Sequence, residues 1–180
     1  MIIQTSRFGD VELNEKDQIN FPEGLLGFSE LKTFVLLDDP DDDIFAWLQS
    51  CENSHVAFPV LEPELFAANY QVNLGKRDMA ALKLTSMERV RIYTIVTIPE
   101  DPTQMTANLK APIIINIPER LASQCVLQEN DLPIREPIFT KLQQRFVQPT
   151  SSVEREMQIE KDKDLAVRIM PSSKGMVKEL

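Results

Sequence analysis

The chain has 180 residues, 43% of them apolar, and sets 28 Asp and Glu against 19 Lys and Arg for a formal net charge of −9. That length suits one domain with a packed core, and the charge repels a phosphate backbone, which excludes direct nucleic-acid binding as the expected function. No apolar run nears the roughly 20 residues that cross a bilayer, and MIIQTSRFGD has no basic stretch followed by an apolar one, so no membrane contact and a cytoplasmic location are expected.

Short segments rich in Ile, Val, Phe and Thr recur between clusters of Asp, Asn, Pro and Gly, the pattern of strands and turns. In chain order the expected strands are 2–5, 11–13, 18–21, 33–37, 45–49, 56–61 and 70–72, then 89–98, 105–109, 113–117 and 123–127. Gly9, between the first two, and Gly24 and Gly27 in FPEGLLGF mark tight corners. LGKRDMAALKL reads as the one long helical window, with Leu74, Met79 and Leu82 facing inward. Crossover helices are missing, so antiparallel pairing follows. The expected fold is mainly β, a compact antiparallel β-barrel-like domain with one or two short helices and a C-terminal extension.

The extension is marked by charge and texture. Residues 1–147 hold 22 acidic against 13 basic side chains, whereas 148–180 hold 6 of each, and the break falls at Pro149 and a Thr-Ser-Ser run. We place the barrel domain in 1–147 and the extension in 148–180. The latter reads either as a short solvated helix, with Val153 and Met157 one turn apart, or as a loosely held segment.

Groups able to do chemistry are few. Cys51 and Cys125 are too far apart for paired metal ligands or a disulfide scaffold and read as reduced, half-buried thiols. His55 follows Cys51 by four positions, but FAWLQS and VAFPV are strand-like and ENSH is a turn, so the pair is not brought together. The acidic run Asp38 to Asp43 lacks the Gly and the terminal Glu of a calcium loop. It reads as a solvated turn that keeps an edge from pairing with other chains, with a secondary role in steering a basic partner. No segment has phosphate-cradling Gly spacing. Phe45, Trp47 and Phe58 are assigned to packing. In EPELFAANY, Glu62, Pro63 and Glu64 open a helical turn and leave Leu65 and Phe66 either buried or exposed. No metal, cofactor or catalytic residue is expected, and an enzyme is not.

The run RIYTIVTIPEDPTQMTANLKAPIIIN alternates apolar residues onto both faces of a strand, stops at Pro99 and Pro102, restarts at Met105 and breaks again at Pro112. It describes a rigid elbow. TIPEDPTQMTANLKAPIIIN closely resembles the signature of the flagellar assembly factor FliW family. FGDVEL, INFPEGLLGFSELKTFVLL, FAWLQS, VAFPVLEPELFAANY and the Ile134-Arg135 pair agree in order, over about residues 2 to 140. The resemblance implies a barrel-like, non-enzymatic protein that binds the RNA-binding translational regulator CsrA and prevents it from repressing flagellin mRNA, with flagellin binding releasing CsrA. The alternative is a flagellin-binding chaperone without a translational role. The candidate partner surface is the elbow, Glu100, Asp101, Met105 and Asn108, together with Glu62, Glu64 and Phe66. Asn108 and Lys110 are read first as turn-stabilising side chains. Residues 148–180 run past the usual end of the family.

Overall fold

The computed structural model describes residues 1–42, 44–147 and 164–169. The chain opens with a hairpin of β1 (Ile2–Thr5) and β2 (Gly9–Glu12), Ile2 opposite Glu12 and Thr5 opposite Gly9. Thr5 closes it, its hydroxyl donating to the Gly9 carbonyl at 2.8 Å and accepting from Phe8 N–H at 2.9 Å. Then come β3 (Ile19–Asn20), β4 (Thr33–Asp38), β5 (Ala46–Ser50) and β6 (Ala57–Leu61). After helix α1 (Lys76–Ala81) follow β7 (Val90–Thr97), β8 (Thr106–Ala107), β9 (Ile113–Asn116) and β10 (Leu121–Gln124). The described chain ends with β11 (Glu136–Pro137), helix α2 (Phe139–Val147) and β12 (Val167–Arg168).

Seven strands close a ring in the order β7, β6, β5, β4, β3, β10, β9 and back to β7. A small flap, β8 and then β11, extends β7 beyond its pairing with β6. Pairing is antiparallel except at two places that the sequence does not announce: β10 runs parallel to β3, Leu121 opposite Asn20, and β12 runs parallel to β4.

Several strands are apolar on both faces because both faces are covered. Phe34 and Leu36 of β4, Leu48 of β5 and Ile113 and Ile115 of β9 fill the ring with Ile19, Phe21 and Tyr93. Outside β4 and β5, Val35, Leu37 and Trp47 are capped by Ile3, Phe8, Val11 and Leu13 of the hairpin region. Outside β9 and β10, Ile114, Leu121 and Cys125 pack against Leu82, with Val72 and Leu74 at the margin.

That last pad explains two departures from expectation. Residues 70–72 form no strand; Tyr70 turns its hydroxyl onto the Leu109 carbonyl at 2.7 Å, and Val72 lies on the pad. The 74–84 window is helical only over Lys76–Ala81, because Gly75 starts it and Lys83, at φ 54°, ends it. Its buried anchor, Leu82, sits just past the helix. The expected tail helix around Val153 and Met157 lies outside the described residues. Residues 167–168 are strand, and Leu165 and Ile169 are buried in the body of the protein.

Candidate functional site: the elbow face

The elbow begins where β7 runs out. Asp101 caps the turn Pro102–Gln104, accepting from Thr103 N–H at 3.0 Å and from the Thr103 hydroxyl at 2.6 Å. These two bonds, the hydroxyl's first, hold the Asp101 carboxyl below its ordinary range. Past the turn, Met105 faces inward and its carbonyl accepts from Ile138 N–H at 3.3 Å, which ties the elbow to the start of α2. Asn108 builds the second bend. Its Oδ1 accepts from the N–H groups of Lys110 (3.0 Å) and Ala111 (3.1 Å), and its own N–H donates to Ile95 O at 3.0 Å. Lys110 Nζ donates to the Glu129 carbonyl at 2.5 Å.

The second predicted segment, around Glu62, arrives beside the first. Phe66 and Met105 lie in one buried cluster with Leu61, Val96, Ile138 and Leu142, lidded by α2. Lys141 anchors that helix to Glu136 of β11 at 2.7 Å. Sequence reasoning therefore chose two segments that do converge, but they converge through their buried faces. Phe66 and Met105 are 6% and 8% exposed, so neither offers a side chain to a partner; α2 supplies the cover. Glu62 is also committed, to Arg91, whose guanidinium reaches Tyr93 as well. Asn108 is half-buried at its bend. The exposed members of the predicted set are Glu64, Glu100 and Asp101, all acidic.

Missing from the sequence reading were α2 and Arg91, the partner of Glu62. Ile138 and Leu142, four apart after a proline, are the signal that finds the helix.

Reactive groups are quenched by their surroundings. Burial, then Glu52, pushes the Cys51 thiol up to about 11, and burial, then Asp78, raises Cys125 to about 11. Neither is a thiolate near neutrality. His55 Nδ1 shares a 2.7 Å hydrogen bond with Ser6 Oγ, which ties the β5–β6 turn to the first hairpin. Among the described residues no group of three His, Cys, Asp or Glu is arranged to hold a metal, and no helix is long and apolar enough to cross a membrane. The acidic run is a wound turn: Asp39 Oδ1 accepts from Asp41 N–H at 3.0 Å, and Asp42 Oδ1 from Ile44 and Phe45 at 3.0 and 3.1 Å. Asp43 lies outside the described residues. Asp38, at the start of the run, is opposite Arg168 of β12, so this edge is covered by a strand of the same chain.

Comparison with known proteins agrees with this architecture. A "Flagellar assembly factor FliW" of Bdellovibrio bacteriovorus is 68% identical over 148 residues, 82% of this chain and 85% of that protein. Another, of Thermoanaerobacter pseudethanolicus, is 38% identical over 147 residues, 81% of this chain and 98% of that protein. A crystal structure of the flagellar assembly factor FliW superposes with a TM-score of 0.73 at 34% identity, over 77% of this chain and 97% of that one. Residues 2–138 match the model of the family described as FliW protein, and with the closed seven-strand ring, the proline elbow and the lidding helix in place, the chain belongs to the FliW family.

Proposed function

We propose that the protein acts in flagellar assembly as a partner switch in the cytoplasm: it binds CsrA, prevents CsrA from repressing flagellin mRNA, and releases it when flagellin binds. The observation that carries this reading is the family match over residues 2–138. Two physical features support it. The chain has a net charge of −9, which draws in a basic RNA-binding protein and repels the RNA that competes for it. The elbow face presents Glu64, Glu100 and Asp101 to solvent over a lidded apolar cluster. A stiff, acidic face of this kind works by occupying a surface, with no bond made or broken.

The test is CsrA affinity by calorimetry at two ionic strengths, with flagellin mRNA leader and then flagellin added as competitors. Binding that weakens with salt, displaces RNA and is reversed by flagellin supports the switch. Flagellin binding without CsrA binding would instead make the protein a chaperone.

A further inference from the structure

β12 sits where the ring leaves an edge. Among the described residues β3 pairs with β4 at Thr33 and Phe34 alone, so the far part of β4, toward Asp38, has β12 as its neighbour on that side. Val167 lies opposite Leu37, Arg168 opposite Asp38, and Ile169 N–H donates to the Asp38 carbonyl at 2.9 Å. Two apolar sockets flank the pairing. Leu165, 1% exposed, joins the ring interior with Ile19 and Leu36; Ile169, 5% exposed, joins Ile3, Leu37 and Trp47 outside it, with Val167 at the margin. Arg168 points outward, Nε 3.8 Å from Asp38 Oδ2. At the near end Arg120, held at φ 50° in the β9–β10 turn, donates to the carbonyls of Asp164 and Leu165.

This strand is not part of what closes the barrel. The seven-strand ring is complete without it. The match to the family model ends at residue 138, and the Thermoanaerobacter relative is covered over 98% of its length by 147 residues of this chain, so β12 lies beyond the family-matched part of the sequence. The ring closes through β3, β10 and β9, so the edge of β4 that β12 covers is a surface that a separate strand is able to fill.

We propose that the β4 edge around Leu37 and Asp38, with its two sockets and the Arg120 guanidinium, is a strand-acceptor site for an extended segment of a partner protein, and that residues 164–169 occupy it in cis. The chemistry of the occupant defines the partner: an extended segment of the pattern apolar-x-apolar-basic-apolar, added in parallel. The backbone bonds give affinity without regard to sequence. The sockets and Asp38 give the preference for apolar residues four apart and a basic residue just before the second.

The test uses the full chain. L165D/I169D places a carboxylate in each socket and releases the segment, and the probe is a fluorescent synthetic peptide carrying residues 161–170, followed by anisotropy. The folded double variant is expected to bind the peptide, and the unaltered chain to bind it about tenfold or more weaker, because its own strand holds the site. A probe in which Arg168 is replaced by Glu is expected to bind the variant more weakly than the parent peptide. A variant with native-like circular dichroism that does not bind the probe overturns the proposal. If the variant does not fold, amide exchange on the unaltered chain decides: Ile169 N–H must exchange faster than Ser50 N–H, which is bonded to Val56 O inside the ring. Equal rates would mean that β12 leaves only when the whole protein unfolds, and would overturn the idea as well.

Discussion

Arg91 and Glu62 face one another with side chains only 11% and 13% exposed, and the guanidinium also reaches Tyr93. Removing one member of such a pair leaves the other charge poorly solvated. Glu62→Ala is therefore expected to destabilise by about 2–3 kcal/mol, somewhat under the roughly 3–5 kcal/mol of a fully buried pair, seen in urea as a lower midpoint with an unchanged slope. Gly24 is a backbone case. At φ 66° a Cβ would lie 2.4 Å from the Phe28 carbonyl oxygen and 2.8 Å from Ser29 Cα, both main-chain atoms that have little room to give. Gly24→Ala should cost about 3 kcal/mol or more by the same measurement, since left-handed strain and a main-chain clash add. At Gly27, also at positive φ, nothing stands within 4 Å, so the same substitution carries the strain alone and should cost less.

Among the elements, α2 is the one whose loss changes the candidate site. Leu142, 4% exposed, lies in one buried cluster with Phe66 and Met105. Leu142→Ala is expected to cost about 2–4 kcal/mol and to raise hydrogen exchange at the elbow more than at β4 and β5, whose buried hydrophobic residues lie in other clusters. This helix also shows where the sequence is legible and where it is not. Strands β4, β5, β6, β7 and β9 are readable because each is an apolar run with a Pro or Asp close to at least one end. The elbow is readable because Pro99, Pro102 and Pro112 leave the backbone few options. Strand β8 is the two-residue remnant of the expected strand 105–109, and β11, also two residues, exists because β8 offers it an edge, a tertiary fact with no local pattern behind it. β12 is two residues of an equally short kind, and its partner lies far back in the chain. The inward turn of Phe66 and Met105 was hidden for a related reason: burial there depends on α2, so without the helix both read equally well as exposed anchors.

For the whole molecule, acidity and closure dominate. The two thiols ionise in the unfolded chain near their ordinary value of 9.0 but in the folded protein only near 11. Unfolding between those values releases protons, so these groups contribute stability that is full below pH 9 and lost as pH rises toward 11. Tyr70 adds to the same trend at still higher pH, burial first and Glu129 second holding its hydroxyl protonated. The urea midpoint should fall between pH 9 and 11, and C51A/C125A should fall less over that window. A parallel loss in the double variant would place the alkaline transition elsewhere.

Closure has a further consequence, for time. The ring is sealed where Asn20 meets Leu121, across most of the family-matched sequence, and chain segments so distant along the polymer find each other slowly because the intervening loop must first be brought round. During synthesis the short strand at Ile19–Asn20 has to wait, one side bare, until the residues around Leu121 leave the ribosome. The nascent protein is thus most prone to wrong strand pairing late in its own translation, and a pause in that last third would lengthen the dangerous interval.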